Sequence, residues 1–359
     1  MQRRLERSNL KTVQRGSGNR VTILDVARAA GVSKSTVANV FSGLPGGVTV
    51  QEETRRRVLE AAQRLDYRKN AVAAAFSSGR THTIGVLLPQ HHVLATSRVY
   101  RTYGQDVFVA VFDAACRANL RVTSLPNLDR EPRVADLTDR RVDGLILASL
   151  RDPDLVRAIY ATGTPCVEIG SGFGPHLIHP DNEGGAALAV AHLTGLGHRR
   201  IAHFRGPRGG YSAADRRADG FESACRTHGL DPGRCPVLDT PEDVAEALGL
   251  PRGDRPTALF AFNDCQASDV LDIAEERGLR VPGDLSVVGF DNSVVSELTR
   301  PRLTTIDNAL GAQADAAIAL LLSLRDGSEL PEPPAPAPVC VPTHLVPRHS
   351  TAPPARTGR

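Results

Sequence analysis

The hydrophobic pattern of the chain has two regimes. Between Thr22 and Leu65 the apolar positions recur three and four residues apart, as Ile23, Val26, Ala27 and Ala30, then Val37, Val40 and Phe41, then Val58, Ala61, Ala62 and Leu65. That period belongs to amphipathic helices, and it predicts three short ones sharing a small core. From Thr83 onward, short and wholly apolar runs alternate with amphipathic stretches: 83–88, 120–125, 144–148, 166–169, 200–204, 258–262 and 285–290. Strands apolar on both faces and separated by helices indicate parallel sheets covered on both sides. There are enough of them for two doubly wound halves. Ligands in such folds bind beyond the carboxyl ends of the strands, and between two halves that place becomes a cleft.

Local punctuation sharpens the helical part. Thr22 with Asp25 three residues on is a capping-box start, Gly31 suits the positive φ of a tight exit, and Ser33 can cap the next helix. Helix, short turn and helix over residues 22 to 41 is the arrangement that places its second helix in a DNA major groove. Ser42 to Gly47, with Pro45, Gly46 and Gly47, reads as a loop. Beyond Tyr67, Asn70 can open and Gly79 can close another helical segment, but seven or eight residues do not hold a helix alone in water. That segment folds only when something pins it, which makes it a candidate switch. Near the end, the proline-rich run 331–338 is a stiff connector to a last extended segment, Val339 to Val346.

Charge turns the helix pair into a DNA-binding candidate. Residues 1 to 80 carry 15 Lys and Arg against 6 Asp and Glu, whereas the rest carries 28 against 34. A basic head on an acidic body suits a phosphate backbone. The length of 359 residues allows two or three domains, and no run of about 18 apolar residues calls for a membrane span. Met1 to Arg20 is polar and basic without the apolar core of a signal peptide, so the expected location is the cytoplasm, at the nucleoid. The six cysteines include no C-x-x-C pair and suit buried thiols better than a metal site, and no cofactor is expected. Gly170, Gly172 and Gly174 follow an apolar run, as in a dinucleotide-binding turn, but no G-x-G-x-x-G is completed. No G-x-S-x-G, phosphate loop or H-E-x-x-H occurs either, so an enzyme is the weakest reading. A sugar-binding protein without a DNA role is the other rival, and it does not account for the basic head.

Ordered motifs along the chain resemble those of the lactose-repressor (LacI/GalR) family of bacterial transcriptional regulators. In the head they are Asp25-Val-Ala, Ala30-Gly-Val-Ser, Thr36-Val, Glu53-Thr-Arg and Leu65-Asp-Tyr-Arg-Lys-Asn. In the body they include Ile84-Gly-Val, Val142-Asp-Gly-Leu-Ile-Leu, Asp181-Asn, Gly197-His-Arg-Arg-Ile-Ala, Arg217-Ala-Asp-Gly-Phe, Asn263-Asp, Val281-Pro-Gly-Asp-Leu-Ser-Val-Val-Gly-Phe-Asp and Leu303-Thr-Thr, with Leu345-Val-Pro-Arg-His-Ser-Thr at the end. The resemblance spans roughly residues 21 to 351. It implies an all-α helix-turn-helix head and a two-lobed α/β core with parallel sheets, like periplasmic binding proteins. The expected layout is a disordered basic arm at 1–20, the head at 21–68, a hinge helix at 69–80, the core at 81–351 and a disordered tail at 352–359.

The resemblance also implies a homodimer on a palindromic double-stranded operator, a small-molecule effector of carbohydrate type, and no membrane partner. It assigns base reading to Lys34, Ser35 and Asn39, residue types that pair with guanine or adenine edges or are permissive. Thr22, Ser33 and Thr36 contact phosphate or cap helices. In the hinge, Phe76 stands where the family has a leucine that wedges into the minor groove, and Ala74 stands where an arginine is usual. Arg217, Asp264 and Asp291 fall on positions that point at the effector, their donors and acceptors suiting vicinal hydroxyls. Asn263 assists, though Asn-Asp after a strand is also good turn chemistry. The loop from Gln90 to Gly104 leaves the family pattern; there Tyr103 could stack on a sugar face, and His91 and His92 have no third partner for a metal.

Overall fold

The computed structural model describes residues 21–42, 50–68, 75, 79–88, 98–125, 134–150, 152–170, 172–205, 212–327 and 338–355. The chain divides into two compact units, Met1–Thr81 and His82–Arg359. The arm 1–20 and the hinge residues Ala74 and Phe76 lie outside the described residues, as do His91 and His92. Of the linker, Gly79 adopts the left-handed φ of 68° expected of a helix-ending glycine.

In the first unit α1 (Ile23–Ala30), α2 (Lys34–Ser42) and α3 (Glu52–Arg64) follow the predicted stripes. Val26, Ala27 and Ala30, Val37 and Val40, and Val58, Ala61 and Ala62 form one buried cluster. Leu65 and Tyr67 close its edge, and the Tyr67 ring lies 5.6 Å from that of Phe41. The start of α1 is fixed locally: the Asp25 carboxylate accepts from the Thr22 backbone N–H at 2.9 Å and from its hydroxyl at 2.7 Å. Those bonds hold the Asp25 carboxyl below its ordinary pKa. Gly31 ends α1 at φ 64°, a conformation in which an added Cβ is strained although nothing obstructs it.

The second unit holds two six-stranded sheets. Its strands are β1 (Thr83–Leu87), β2 (Arg121–Ser124), β3 (Leu145–Ala148), β4 (Cys166–Ile169), β5 (Leu177–Pro180), β6 (Ile201–Phe204), β7 (Val237–Leu238), β8 (Ala258–Ala261), β9 (Ser286–Phe290), β10 (Thr304–Asp307), β11 (Val339–Val341) and β12 (His344–Val346). Sheet order is β11-β5-β4-β3-β1-β2 in lobe 1 and β12-β10-β9-β8-β6-β7 in lobe 2. All pairings are parallel except β10 with β12. The helices between them are α4 (Arg98–Arg117), α5 (Val134–Leu137), α6 (Pro153–Ala161), α7 (Asn182–Gly195), α8 (Ser212–Thr227), α9 (Pro241–Gly249), α10 (Asp264–Glu276), α11 (Val294–Leu298) and α12 (Leu310–Arg325).

Every apolar run read as a strand is one. Three strands escaped that reading. β5 is Leu-Ile-His-Pro and β10 is Thr-Thr-Ile-Asp, too polar to stand out, and β7 has two residues. Thr304 and Thr305 are nevertheless fully buried, because Thr351 and Asp264 take up their hydroxyls.

The chain crosses between the lobes three times, after β5, after β10 and between β11 and β12. Two of the crossings are tied together: the Asp181 N–H donates to the Val341 carbonyl at 2.8 Å and the Thr343 hydroxyl to the Asp181 carbonyl at 3.2 Å. The described residues run past the expected start of the tail, to 355. Ala352 is part of the core, since its N–H donates to Ser286 Oγ at 3.1 Å and its carbonyl lies 2.9 Å from the buried His198 ring.

Candidate functional site

The first candidate is the exposed face of α2. Ser33 Oγ accepts from the Thr36 N–H at 3.1 Å, which is the predicted cap, and it also lies 2.7 Å from Ser35 Oγ and 2.8 Å from Thr36 Oγ1. With Val37 and Val40 buried, Lys34, Ser35 and Asn39 face outward. The helical period therefore presents the three predicted base readers on one side. Thr22 is exposed at the start of α1, and Thr36 is half-buried.

The second candidate is an open cleft between the lobes, with roughly 600 Å³ of empty space that includes its open mouth. It opens where parallel strands end: Ser149 follows β3, Gly170 follows β4, Asn263 lies just beyond β8 and Asp291 follows β9. Tyr103, Arg217, Asn263 and Asp291, all expected at the site, line it. Arg217 is buried and organises the lobe 2 wall. Its Nε donates to Asn182 Oδ1 at 2.9 Å, its Nη1 donates to the Phe262 carbonyl, and its Nη2 lies 3.6 Å from Asp291 Oδ1. The guanidinium also stands over the Phe290 ring at 3.5 Å and the Phe262 ring at 4.5 Å.

Asp291 has a φ of 102° and Asn292 one of 53°, two successive residues in left-handed backbone. Such conformations cost on the order of 1–3 kcal/mol each and persist where the surroundings hold them. Here Asn308 donates to Asp291 Oδ1 at 3.1 Å, while Asn292 donates to Asp307 at 2.9 Å and accepts from Arg348 at 2.7 Å. Burial pushes the Asp291 carboxyl up, and Arg217 and Asn308 pull it back. Across the cleft, Asp106 of α4 is likewise raised, by burial and by the charge of Asp291.

Two expectations shift in meaning. Asp264 does not line the cavity; it lies behind the wall, 1% exposed, where its carboxylate accepts from the Ser293 N–H at 2.7 Å, the Ser293 hydroxyl at 3.0 Å and the Thr305 hydroxyl at 2.5 Å. Burial and then Asp291 push its pKa up to about 7. Gly289 makes room for it, since a Cβ there would overlap Asp264 Oδ1. Asn263 reaches the cavity, yet its side-chain oxygen accepts from the Gln266 N–H at 2.9 Å and so caps α10, the turn chemistry its sequence also allowed.

Sequence reasoning missed Ser149, His179, Asn182, Arg216 and Phe262 in the lining. Asn182 lay in a quoted motif and Arg216 adjoins Arg217, but nothing local marks either as facing a cleft. The glycine run after β4 turns out to serve an internal anion. The N–H groups of Gly172, Phe173 and Gly174 donate to the fully buried Glu168 carboxylate at 3.1, 3.0 and 2.5 Å. Among the described residues no group of three or more His, Cys, Asp or Glu is placed to hold a metal, and no helix is long and apolar enough to cross a membrane.

Comparison with known proteins agrees with this geometry. Residues 22–70 match the bacterial regulatory proteins of the lacI family, and residues 190–351 match a periplasmic binding protein-like domain. Catabolite control protein A of Priestia megaterium is 31% identical over 300 residues, 80% of this chain and 87% of that protein. The HTH-type transcriptional regulator GalR of Escherichia coli K12 is 30% identical over 350 residues, 93% of this chain and 96% of the relative. The lac repressor dimer bound to operator and the anti-inducer ONPF aligns with a TM-score of 0.72 at 27% identity, covering 93% of this chain and all of that one. A helix-turn-helix head and a two-lobed core joined in one chain, with relatives that are regulators rather than enzymes along nearly its whole length, mean that this protein belongs to the lacI family of DNA-binding transcriptional regulators.

Proposed function

We propose that the protein is a repressor that binds a palindromic operator as a homodimer and changes its operator affinity when a small polyhydroxylated molecule enters the cleft. The observation that carries this reading is the cavity wall of Arg217 and Asp291, a fixed fork of donors beside an acceptor, which suits adjacent hydroxyls. A relative in complex with cellobiose, the transcriptional regulator CelR, aligns at a TM-score of 0.63 and 26% identity over 92% of this chain, which favours a carbohydrate. The lac repressor relative is a dimer on its operator, which favours the same assembly. A DNA-binding protein of this kind works in the cytoplasm, on the nucleoid.

Lys34, Ser35 and Asn39 read bases in this proposal, Thr22, Ser33 and Thr36 position the phosphates, and Phe76 wedges a base step at the operator centre. Lobe closure reaches the head through the segment 69–80, which precedes the boundary between the two units at Thr81 and His82. The direct test is electrophoretic mobility of a palindromic upstream fragment with and without candidate sugars. A mobility shift that no small molecule alters refutes the effector half. For the head, Asn39→Ala relaxes preference at one base pair per half-site in a binding-site selection, and unchanged preference removes Asn39 from the reading set. Phe76→Ala reduces operator bending, and equal bending excludes the wedge.

A further inference from the structure

Arg216 sits next to Arg217 on α8 but faces a different part of the cavity, toward lobe 1. Its Nη1 lies 3.3 Å from His179 Nε2, a contact that bridges the two lobes. The other ring nitrogen of His179, Nδ1, lies 2.9 Å from the Pro180 carbonyl. A carbonyl only accepts, so Nδ1 carries the proton, and Nε2 of the neutral ring is left to accept from Arg216. His179 thus aims a guanidinium into the cavity without neutralising it. The carboxylate in the lining, Asp291, is opposed by Arg217. Nearby Asp181 caps α7 through the Gly184 N–H, Asp215 pairs with Arg205, and neither these nor Glu183 line the cavity. Among the described residues the lining holds two guanidinium groups against one carboxylate, with Asp106 facing Asp291 from α4 outside the lining.

Asn182 is the first residue of α7, Ala213 lies in the first turn of α8 and Asn263 caps α10, and all three line the cavity. Three helix starts therefore reach the cavity, each with a carboxylate in its own first turn, Glu183, Asp215 and Asp264, so the net positive charge facing it is that of the arginines.

We infer that the effector is a polyhydroxylated anion, a sugar acid or sugar phosphate, whose charged group is bound by Arg216 across from His179 while its hydroxyls meet Arg217 and Asp291. This rests on the cleft being the effector site and narrows the ligand's class. Because the anion sits on the contact between Arg216 and His179, which belong to different lobes, its binding bears directly on lobe closure.

The test measures thermal unfolding of the full chain at constant ionic strength in chloride, with inorganic phosphate, glucuronate, glucose 6-phosphate or glucose added. Phosphate serves as a probe independent of sugar stereochemistry. Phosphate and at least one of the two sugar anions raise Tm, with apparent affinity at least tenfold above that of glucose, and Arg216→Gln abolishes the difference. Of the two sugar anions, a response to glucuronate and not to glucose 6-phosphate makes the charge a carboxylate, and the reverse makes it a phosphate ester. Anions no better than glucose, or a full anion preference retained in Arg216→Gln, overturn the inference. Ala213→Phe, which fills the cavity from a half-buried helix position, separates the two levels of the argument. Shifts that survive it lie outside the cleft and refute the effector site itself, whereas shifts lost in it but equal for glucose and the anions refute only the anionic class.

Discussion

In lobe 1 the buried carboxylate of Glu168 is satisfied by its own chain, through three N–H groups four to six residues away. In lobe 2 the carboxylates of buried Asp264 and half-buried Asp291 depend on side chains from distant parts of the sequence, Thr305 for the first and Arg217 and Asn308 for the second. Both lobes follow the same doubly wound plan. The difference lies in what must move for the charge to lose its partner. Glu168 stays satisfied as long as one short loop keeps its shape, and that loop carries Gly170 into the lining as a fixed contour. The lobe 2 carboxylates form a linked set around Arg217, and a ligand, a proton or a substitution at one member is felt by the others. Lobe 1 supplies shape, and lobe 2 supplies the electrostatic response.

Arg217→Ala breaks the lobe 2 set outright. It leaves half-buried Asp291 without its cation and empties the space over Phe262 and Phe290, so urea unfolding loses about 3 kcal/mol, the low end of the cost of removing one partner of a buried pair. A loss below about 1 kcal/mol would mean that Asp291 does not depend on it.

Asp264 gives the pH counterpart. Its folded pKa of about 7 lies above the ordinary 3.8, so between those values the unfolded chain releases the proton that the folded chain keeps. Deprotonation then favours unfolding, and stability falls by a few kcal/mol as pH rises from about 4 to about 7 before levelling off. Asp264→Asn flattens that slope, read from denaturant midpoints across the range; an unaltered slope assigns it to another group.

Glu168→Gln probes the lobe 1 side. The amide keeps one acceptor oxygen but turns an NH2 toward backbone donors, costing about 2 kcal/mol, with the loss confined to the 170–176 loop in hydrogen exchange. Loss of protection spreading to lobe 2 would erase the contrast between the walls.

The head was legible because its instructions are local. Thr22 and Asp25 are three residues apart, Ser33 and Thr36 likewise, and the stripes that bury Val26, Val37 and Val58 need only a helical period. The cleft was legible only in part. Arg217 and Asp291 stood out through the resemblance, but the same resemblance named Asp264, which a neighbouring hydroxyl and a glycine without a Cβ draw behind the wall. His179 and Arg216, 37 residues apart, carry no mark of their meeting. β5, which brings His179 there, was itself hidden by its polar sequence.

By itself the sequence determined the three helices of the head, most strands of the core, the basic and acidic division of the chain, and the family. Each of these follows from short-range periodicity, caps or composition, which a linear pattern carries in full. Tertiary structure decided which polar side chains face the cavity, which carboxylate is shielded and which guanidinium is left for a ligand. The reason is physical: burial and pairing depend on distances between residues tens to more than a hundred positions apart, and those distances exist only once the two sheets have folded against their helices and the three crossings have brought the lobes face to face.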